Sequence, residues 1–220
     1  MKLLLINSSE KSPFAAIVSD DKISVHYASE FIDPANAADK NPDKLIHCLE
    51  KLSHEHALSS VDAIAVTTGP GSFTGIRVGL SLAKGIAFGS GKKIIPINNF
   101  ELTLNRLNES PAKMTYCVIL EAKLPEYYYS VYENGMFVNS GAETIENLQK
   151  TINKVAVLAG DFGDETQLKH SYFGYINIKD HKNELDSMIQ LAKAGFTSGN
   201  MLDAGEVEPL YLKEFNLKKT

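Results

Sequence analysis

Apolar residues run through the first half of this chain in two rhythms, short continuous or alternating blocks and one longer helical period. KLLLI is a short apolar run ended by the turn-forming NSSEKSP, which predicts a buried strand. FAAIVSDDKISVHYA reads as two strands folded about Asp20 and Asp21, a hairpin. DPANAADKNP, with two prolines and no apolar period, predicts a loop over residues 33–42. From Asp43 the period becomes helical, with Leu45, Cys48, Leu49 and Leu52 on one face. VDAIAVTT then predicts a buried strand that runs into a glycine-rich stretch. A long helix, the strand KIIPI and a helical segment from about Asn99 to Leu107 follow.

The second half repeats this order in shorter form. YCVILEA and YYYSVYENGMFV predict three strands, the last two joined at Asn134-Gly135, a dipeptide suited to a hairpin turn with positive φ. A helix at about 143–153, the strands VAVLAG and YINI, and a helix from Glu184 to Ala194 complete it. Strands that begin as hairpins and continue through crossover helices predict a mixed sheet in each half. The repeated order predicts an α/β chain of duplicated actin-like (ribonuclease-H-like, ASKHA) fold. Its two subdomains are expected at 1–103 and 104–220, joined near residues 98–112.

The segment TTGPGSFTGIRVGLSLAKGIAFGSGK carries seven of the fifteen glycines. It is not a P-loop: GSGKK follows a helix, and Lys93 stands where a magnesium-binding hydroxyl is needed. GPGSFTG is better placed, between a strand and a helix. It suits an anion at the helix N-terminus and equally a tight turn capped by Ser72 or Thr74. In the helix itself Gly75, Gly79, Ala83 and Ala87 recur every four residues as a narrow stripe. An interior glycine costs about 1 kcal/mol relative to alanine, which close approach by a neighbouring element would offset. Val78, Leu82 and Ile86 form a second apolar face, with Ile76 and Leu80 beside it. A helix apolar over most of its circumference is buried on more than one side. One side then faces the home sheet, and the other meets a second helix in this chain or in a partner.

Composition narrows the chemistry. The formal charge of −5 and a pI near 5.7 give no basic surface for unaided binding of nucleic acid. Cys48 and Cys117 read as two buried thiols, although a disulfide is possible in principle. The apolar run at the start is too short for a signal peptide or a membrane span, so the chain is expected in the cytoplasm.

The stretch GPGSFTGIRVGLSLAKGIAFG resembles the signature segment of the bacterial TsaB family, also called YeaZ. LLLINSS resembles that family's opening strand and D-T-[ST] turn, ILEAKLPEYYYSVY its I-D-A-R-x-x-E-V-Y segment, and VEPLYLKEF its closing P-x-Y-L-[RK] segment. The resemblance implies two actin-like subdomains and a non-catalytic scaffold. Such a scaffold supports formation of N6-threonylcarbamoyladenosine (t6A) at position 37 of tRNAs reading codons that begin with A. It implies docking on a TsaD-type catalytic subunit through helices of the N-terminal subdomain, with a homodimer in isolation. A TsaE-type ATPase and tRNA would be met only through the complex. On this reading the partner-binding residues are Gly75, Arg77, Val78, Gly79, Leu82, Ala83 and Ile86, with no catalytic residue, cofactor, metal or membrane contact.

Three positions depart from the family pattern. Asn7 stands where the family has aspartate, and Glu121 and Lys123 stand for the usual aspartate and arginine. NPDKLIHCLEKL also lacks the family's opening of the first crossover helix. A small ATP-dependent kinase-like enzyme of the actin-like superfamily is the alternative, but it needs phosphate-loop carboxylates in both halves, and only Asp161 is well positioned for that. A purely self-associating structural protein is a third reading. His54-Glu55-His56 does not have H-E-x-x-H spacing and reads as a solvated helix end. His26, His47, His170 and His181 are scattered, and Ser72 does not sit in G-x-S-x-G. Asn7 also removes the first carboxylate of a ribonuclease-H-type two-metal site. Tyr127, Tyr128 and Tyr129 could stack on bases, but alternation within a strand explains them more simply.

Overall fold

The computed structural model describes residues 1–8, 13–20, 22–31, 44–107, 115–122, 125–151, 157–160, 174–178 and 184–212. The 33–42 loop, Lys123, Asp161, His170 and His181, with part of the 98–112 junction, lie outside the described residues. The chain divides into two compact units, Met1–Asn99 with Leu185–Pro209, and Phe100–Glu184 with Leu210–Thr220.

In the first unit β1 (Lys2–Asn7), β2 (Phe14–Ser19), β3 (Lys22–Tyr27), β4 (Ala63–Gly69) and β5 (Lys93–Asn98) form one sheet in the order β3-β2-β1-β4-β5. The hairpin strands β2 and β3 pair antiparallel, as do β1 and β2, while β1, β4 and β5 run parallel. Asp20 supplies the positive φ that turns the hairpin. β1 and β4 are buried along almost their whole length, which explains their unbroken apolar sequence. One sheet face, with Leu4, Ile6, Ile17, Ile64 and Val66, is covered by α1 (Lys44–Glu55) and α2 (Phe73–Ser90). α1 contributes Leu45, Cys48, Leu49 and Leu52, the four residues that its helical period singles out.

α5 (Glu184–Ser198) also belongs to this unit. Gly195 lies against Ile95, with room for no Cβ, and the chain after α5 pairs with β5 through reciprocal bonds between Ile94 and Leu202. The grouping thus differs from a division into 1–103 and 104–220: the residues from Leu185 to Pro209 pack with the first sheet. The cause is that glycine-to-isoleucine contact and the backbone pairing beside it.

The second unit repeats the plan. β6 (Thr115–Glu121), β7 (Glu126–Glu133), β8 (Met136–Thr144), β9 (Val157–Gly160) and β10 (Gly174–Asn177) lie in the order β10-β9-β6-β7-β8. Read from its other edge, this is the strand order of the first sheet, with the same senses of pairing. The chain therefore has the duplicated actin-like fold with two mixed sheets. Asn134 and Gly135 both have positive φ at the β7–β8 turn. Cys117, Ile119, Tyr129 and Val131 face Leu148 of α4 (Ile145–Thr151), while Val118, Leu120 and Tyr132 face Phe100 and Leu104 of α3 (Asn99–Arg106). Alternation in β7 accounts for its tyrosines. Both cysteines are free and buried, and burial pushes the Cys48 thiol up to about 11 and the Cys117 thiol up to about 12.

The tightest joint of the first unit is between α2 and the end of β1. A Cβ at Gly79 would overlap the Ser8 side chain, and one at Gly75 would overlap the Ser8 carbonyl oxygen. Gly79→Ala should therefore lower the unfolding free energy by roughly 1–3 kcal/mol. In a double-mutant cycle read by urea unfolding, Ser8→Gly should recover much of that loss by removing the opposing side chain. The loss from Gly75→Ala should persist, because the obstacle there is a carbonyl oxygen that every residue carries.

Candidate partner-contact face on helix α2

β4 enters the glycine loop through buried Thr67 and Thr68, whose hydroxyls are bonded locally. The Thr67 Oγ1 donates to Asn7 Oδ1 at 3.3 Å and accepts from the Ser8 N–H at 3.3 Å, and Thr68 Oγ1 donates to the Ile97 carbonyl at 3.2 Å. Asn7 is fully buried. Its neutral amide thus occupies the position where a kinase-like chain would hold a carboxylate, and Thr67 engages its oxygen. The Asn99 side chain donates to the Pro70 carbonyl at 2.9 Å and fixes the loop from the other side. Ser72 caps α2, its Oγ accepting from the Gly75 N–H at 3.2 Å, which is the capped-turn alternative of the loop. At the other end Gly91 adopts the left-handed conformation, with φ of 66°, that terminates the helix.

The structure assigns the two small-residue sets of α2 to different faces. Gly75, Gly79 and Ala83 are buried against their own sheet together with Ile76, Leu80 and Ala87. This corrects their expected role: they are covered within the chain, Gly75 by Ser8, Gly79 by Ser8 and Ile6, and Ala83 as part of the same buried core. Leu82 and Ile86 are half-buried and pack at the margin of the same core, and Val78 is half-buried beside them. Arg77 is exposed, its guanidinium carbon 3.7 Å from the centre of the Phe73 ring.

The outward face holds Thr74, Ser81, Gly85 and Phe88, flanked by Arg77, Val78 and Gly89. Phe88 is 87% exposed, and a Cβ at Gly85 or Gly89 would meet no described atom within 4 Å. The sequence pattern does not single out these two glycines as an exposed face, although their four-residue spacing carries the signal. The six steps from Gly79 to Gly85 turn a helix by about 600°, which leaves the two glycines roughly 120° apart around its axis.

Elsewhere, Glu121 closes β6 at an exposed position. Among the described residues no three His, Cys, Asp or Glu side chains converge as metal ligands. Also among them, no helix is long and apolar enough to cross a membrane.

Residues 15–183 match the family described as TsaD: tRNA N6-adenosine threonylcarbamoyltransferase. The chain is 28% identical over 169 residues to the tRNA threonylcarbamoyladenosine biosynthesis protein TsaB of Haemophilus influenzae, covering 71% of this chain and 72% of that one. It is 28% identical over 173 residues to the tRNA N6-adenosine threonylcarbamoyltransferase of Geobacter sp. (strain M21), covering 73% of this chain but 51% of that protein. The match thus spans about half of that transferase. The solved structure of YeaZ from Pseudomonas aeruginosa superposes with a TM-score of 0.72 at 20% identity, covering 96% of this chain and 99% of that one, which establishes the shared fold.

Helix propensity is uncompensated on the outer face of α2 within the monomer. Gly85→Ala and Gly89→Ala should each raise its unfolding free energy by about 0.5–1 kcal/mol. Thermal or urea unfolding of the variants, diluted until they are monomeric, checks this; destabilisation of either monomer would mean that its position is occupied within the chain.

Proposed function

We infer what the chain does from the family to which it belongs, that of the tRNA N6-adenosine threonylcarbamoyltransferase TsaD and its TsaB (YeaZ) relatives. It is a subunit required for N6-threonylcarbamoyladenosine formation at position 37 of tRNAs reading codons that begin with A. It acts in the cytoplasm, without catalysing a step, by binding a TsaD-type catalytic subunit. The observation that carries the binding role is the outward face of α2, where Gly85 and Gly89 open a path for close backbone approach beside an exposed Phe88. Interfaces draw most of their energy from such aromatic anchors set against surfaces that allow close contact.

Arg77, Val78, Leu82 and Ile86 border this face, while Gly75, Gly79 and Ala83 hold the helix to its sheet from behind. In isolation the same face serves a homodimer. The TsaE-type ATPase and tRNA are reached through the complex, consistent with a net charge of −5 that disfavours unaided phosphate binding. The buried amide of Asn7, already bonded to Thr67, supports an accessory role over the kinase-like alternative, which needs a charged group there to handle phosphate or metal.

Two measurements test this. Gly85→Leu and Phe88→Asp should weaken binding to the TsaD-type subunit about ten- to hundredfold in calorimetric titration while leaving the fold intact. Unchanged affinity in both folded variants would move the contact off α2. The purified chain should also turn over neither ATP nor the threonylcarbamoyl donor with tRNA until the TsaD-type and TsaE-type subunits are added. Turnover by the chain alone, lost on changing one of its residues, would favour the kinase-like reading.

A further inference from the structure

The other polar construction in the first unit lies at the far edge of the sheet, where β3 meets the end of α1. His26 of β3 has a side chain only 16% exposed, and each ring nitrogen faces a different carboxylate. Nδ1 lies 3.2 Å from Glu30 Oε2, on the 3-10 turn Ala28–Phe31, and Nε2 lies 2.9 Å from Glu55 Oε1, the last residue of α1. Glu30 is itself held, its Oε1 accepting the Tyr27 N–H at 2.7 Å, with the Lys51 ammonium 3.8 Å from Oε2.

A carboxylate oxygen can only accept, so both contacts are hydrogen bonds only when both ring nitrogens carry hydrogen, which is the imidazolium form. A neutral ring donates to one carboxylate and turns a lone pair on the other. We propose that His26 is a proton-operated clamp, which in its doubly protonated form ties the sheet edge β3 and the turn after it to the C-terminal turn of α1, and releases one of the two on losing a proton.

The other histidines of this region are built differently. His56 Nε2 faces the Ser24 hydroxyl at 2.9 Å, and a hydroxyl can donate or accept, so that contact survives in either ring state. His47 has one carboxylate, Glu50, at 3.4 Å, and packs against the Phe31 ring. His26 alone among these contacts joins two carboxylates from two elements. The charged groups facing it among the described residues are Glu30 from the turn, and Glu55 with Lys51 behind Glu30 from α1. The Tyr27 N–H is the main cause of a Glu30 carboxyl held below its usual value. Partial burial opposes this, and the His26 ring and Lys51 add to it. These contacts favour the ionised Glu30 carboxylate, the form that accepts a hydrogen bond from the ring.

The sign follows from the proton count. The closed form binds a proton, so its stabilisation is present on the acid side of the histidine titration and is lost as pH rises through it. The test compares the unaltered chain with His26→Gln, which keeps His47, His54 and His56 so that their titrations cancel. Urea unfolding at intervals from pH 5.5 to 8.5 should give a stability difference that is larger at the acid end than at the alkaline end; a constant difference overturns the clamp. A second reading needs no variant. Amide exchange in the last turn of α1, corrected for intrinsic rates, should quicken about three- to tenfold between pH 6 and pH 8. Over the same range 15N spectra should report the His26 ring passing from doubly protonated to neutral. A neutral ring at the pH of greatest protection overturns the proposal even if His26→Gln does not fold.

Discussion

The contact between helix α2 and Ser8 at the end of β1 sets the geometry of the first unit. Two glycines a helical turn apart let the helix lie on the backbone of the strand's last turn, closer than any side chain would permit. The buried Ser8 hydroxyl has no hydrogen-bond partner among the described groups, so the joint gains from dispersion and shape more than from polar bonding. This close seating carries the loop between β4 and α2 over the buried Asn7–Thr67 pair and sets which faces of the helix are covered. The inner face is consumed by packing, and the outer face stays exposed.

The duplicated sheet order distributes roles differently in the two units. In the first, a long apolar helix seals one sheet face and presents its reverse side outward. In the second, the short helix α4 covers the corresponding face with Leu148, and the described core is divided into smaller clusters on the two sides of the sheet. At the end of β1 the polar contacts are made by neutral groups, the Asn7 amide and the Ser8 N–H, both bonded to the Thr67 hydroxyl.

Most of the architecture was legible locally. The α1 face of Leu45, Cys48, Leu49 and Leu52 follows from period alone, and Asn134-Gly135 marks its hairpin because few other residues accept two consecutive positive φ values. The orientation of α2 was not read correctly. A helix apolar around most of its circumference has no single inward direction, and the stripe at Gly75 and Gly79 could serve either side until Ser8 was located against it. Contacts between distant residues left no local trace. His26 and Glu55 are separated by 29 positions, and Glu55 in isolation reads as part of a solvated helix end. The attachment of α5 to the first sheet depends on Gly195 fitting over Ile95, which no periodicity encodes.

That attachment also bears on how the chain is made. Val207, 1% exposed, is part of the same apolar core as Leu4 and Ile64. During synthesis the strands of the first sheet leave the ribosome early, yet β5 lacks its Leu202 partner, and their core lacks Val207, until those residues have followed the second sheet out. The first unit is therefore completed only after residues Phe100–Glu184 of the second have been translated. Its nascent form must wait with the Ile95 face uncovered, which makes translation pace and chaperone access part of this protein's folding problem.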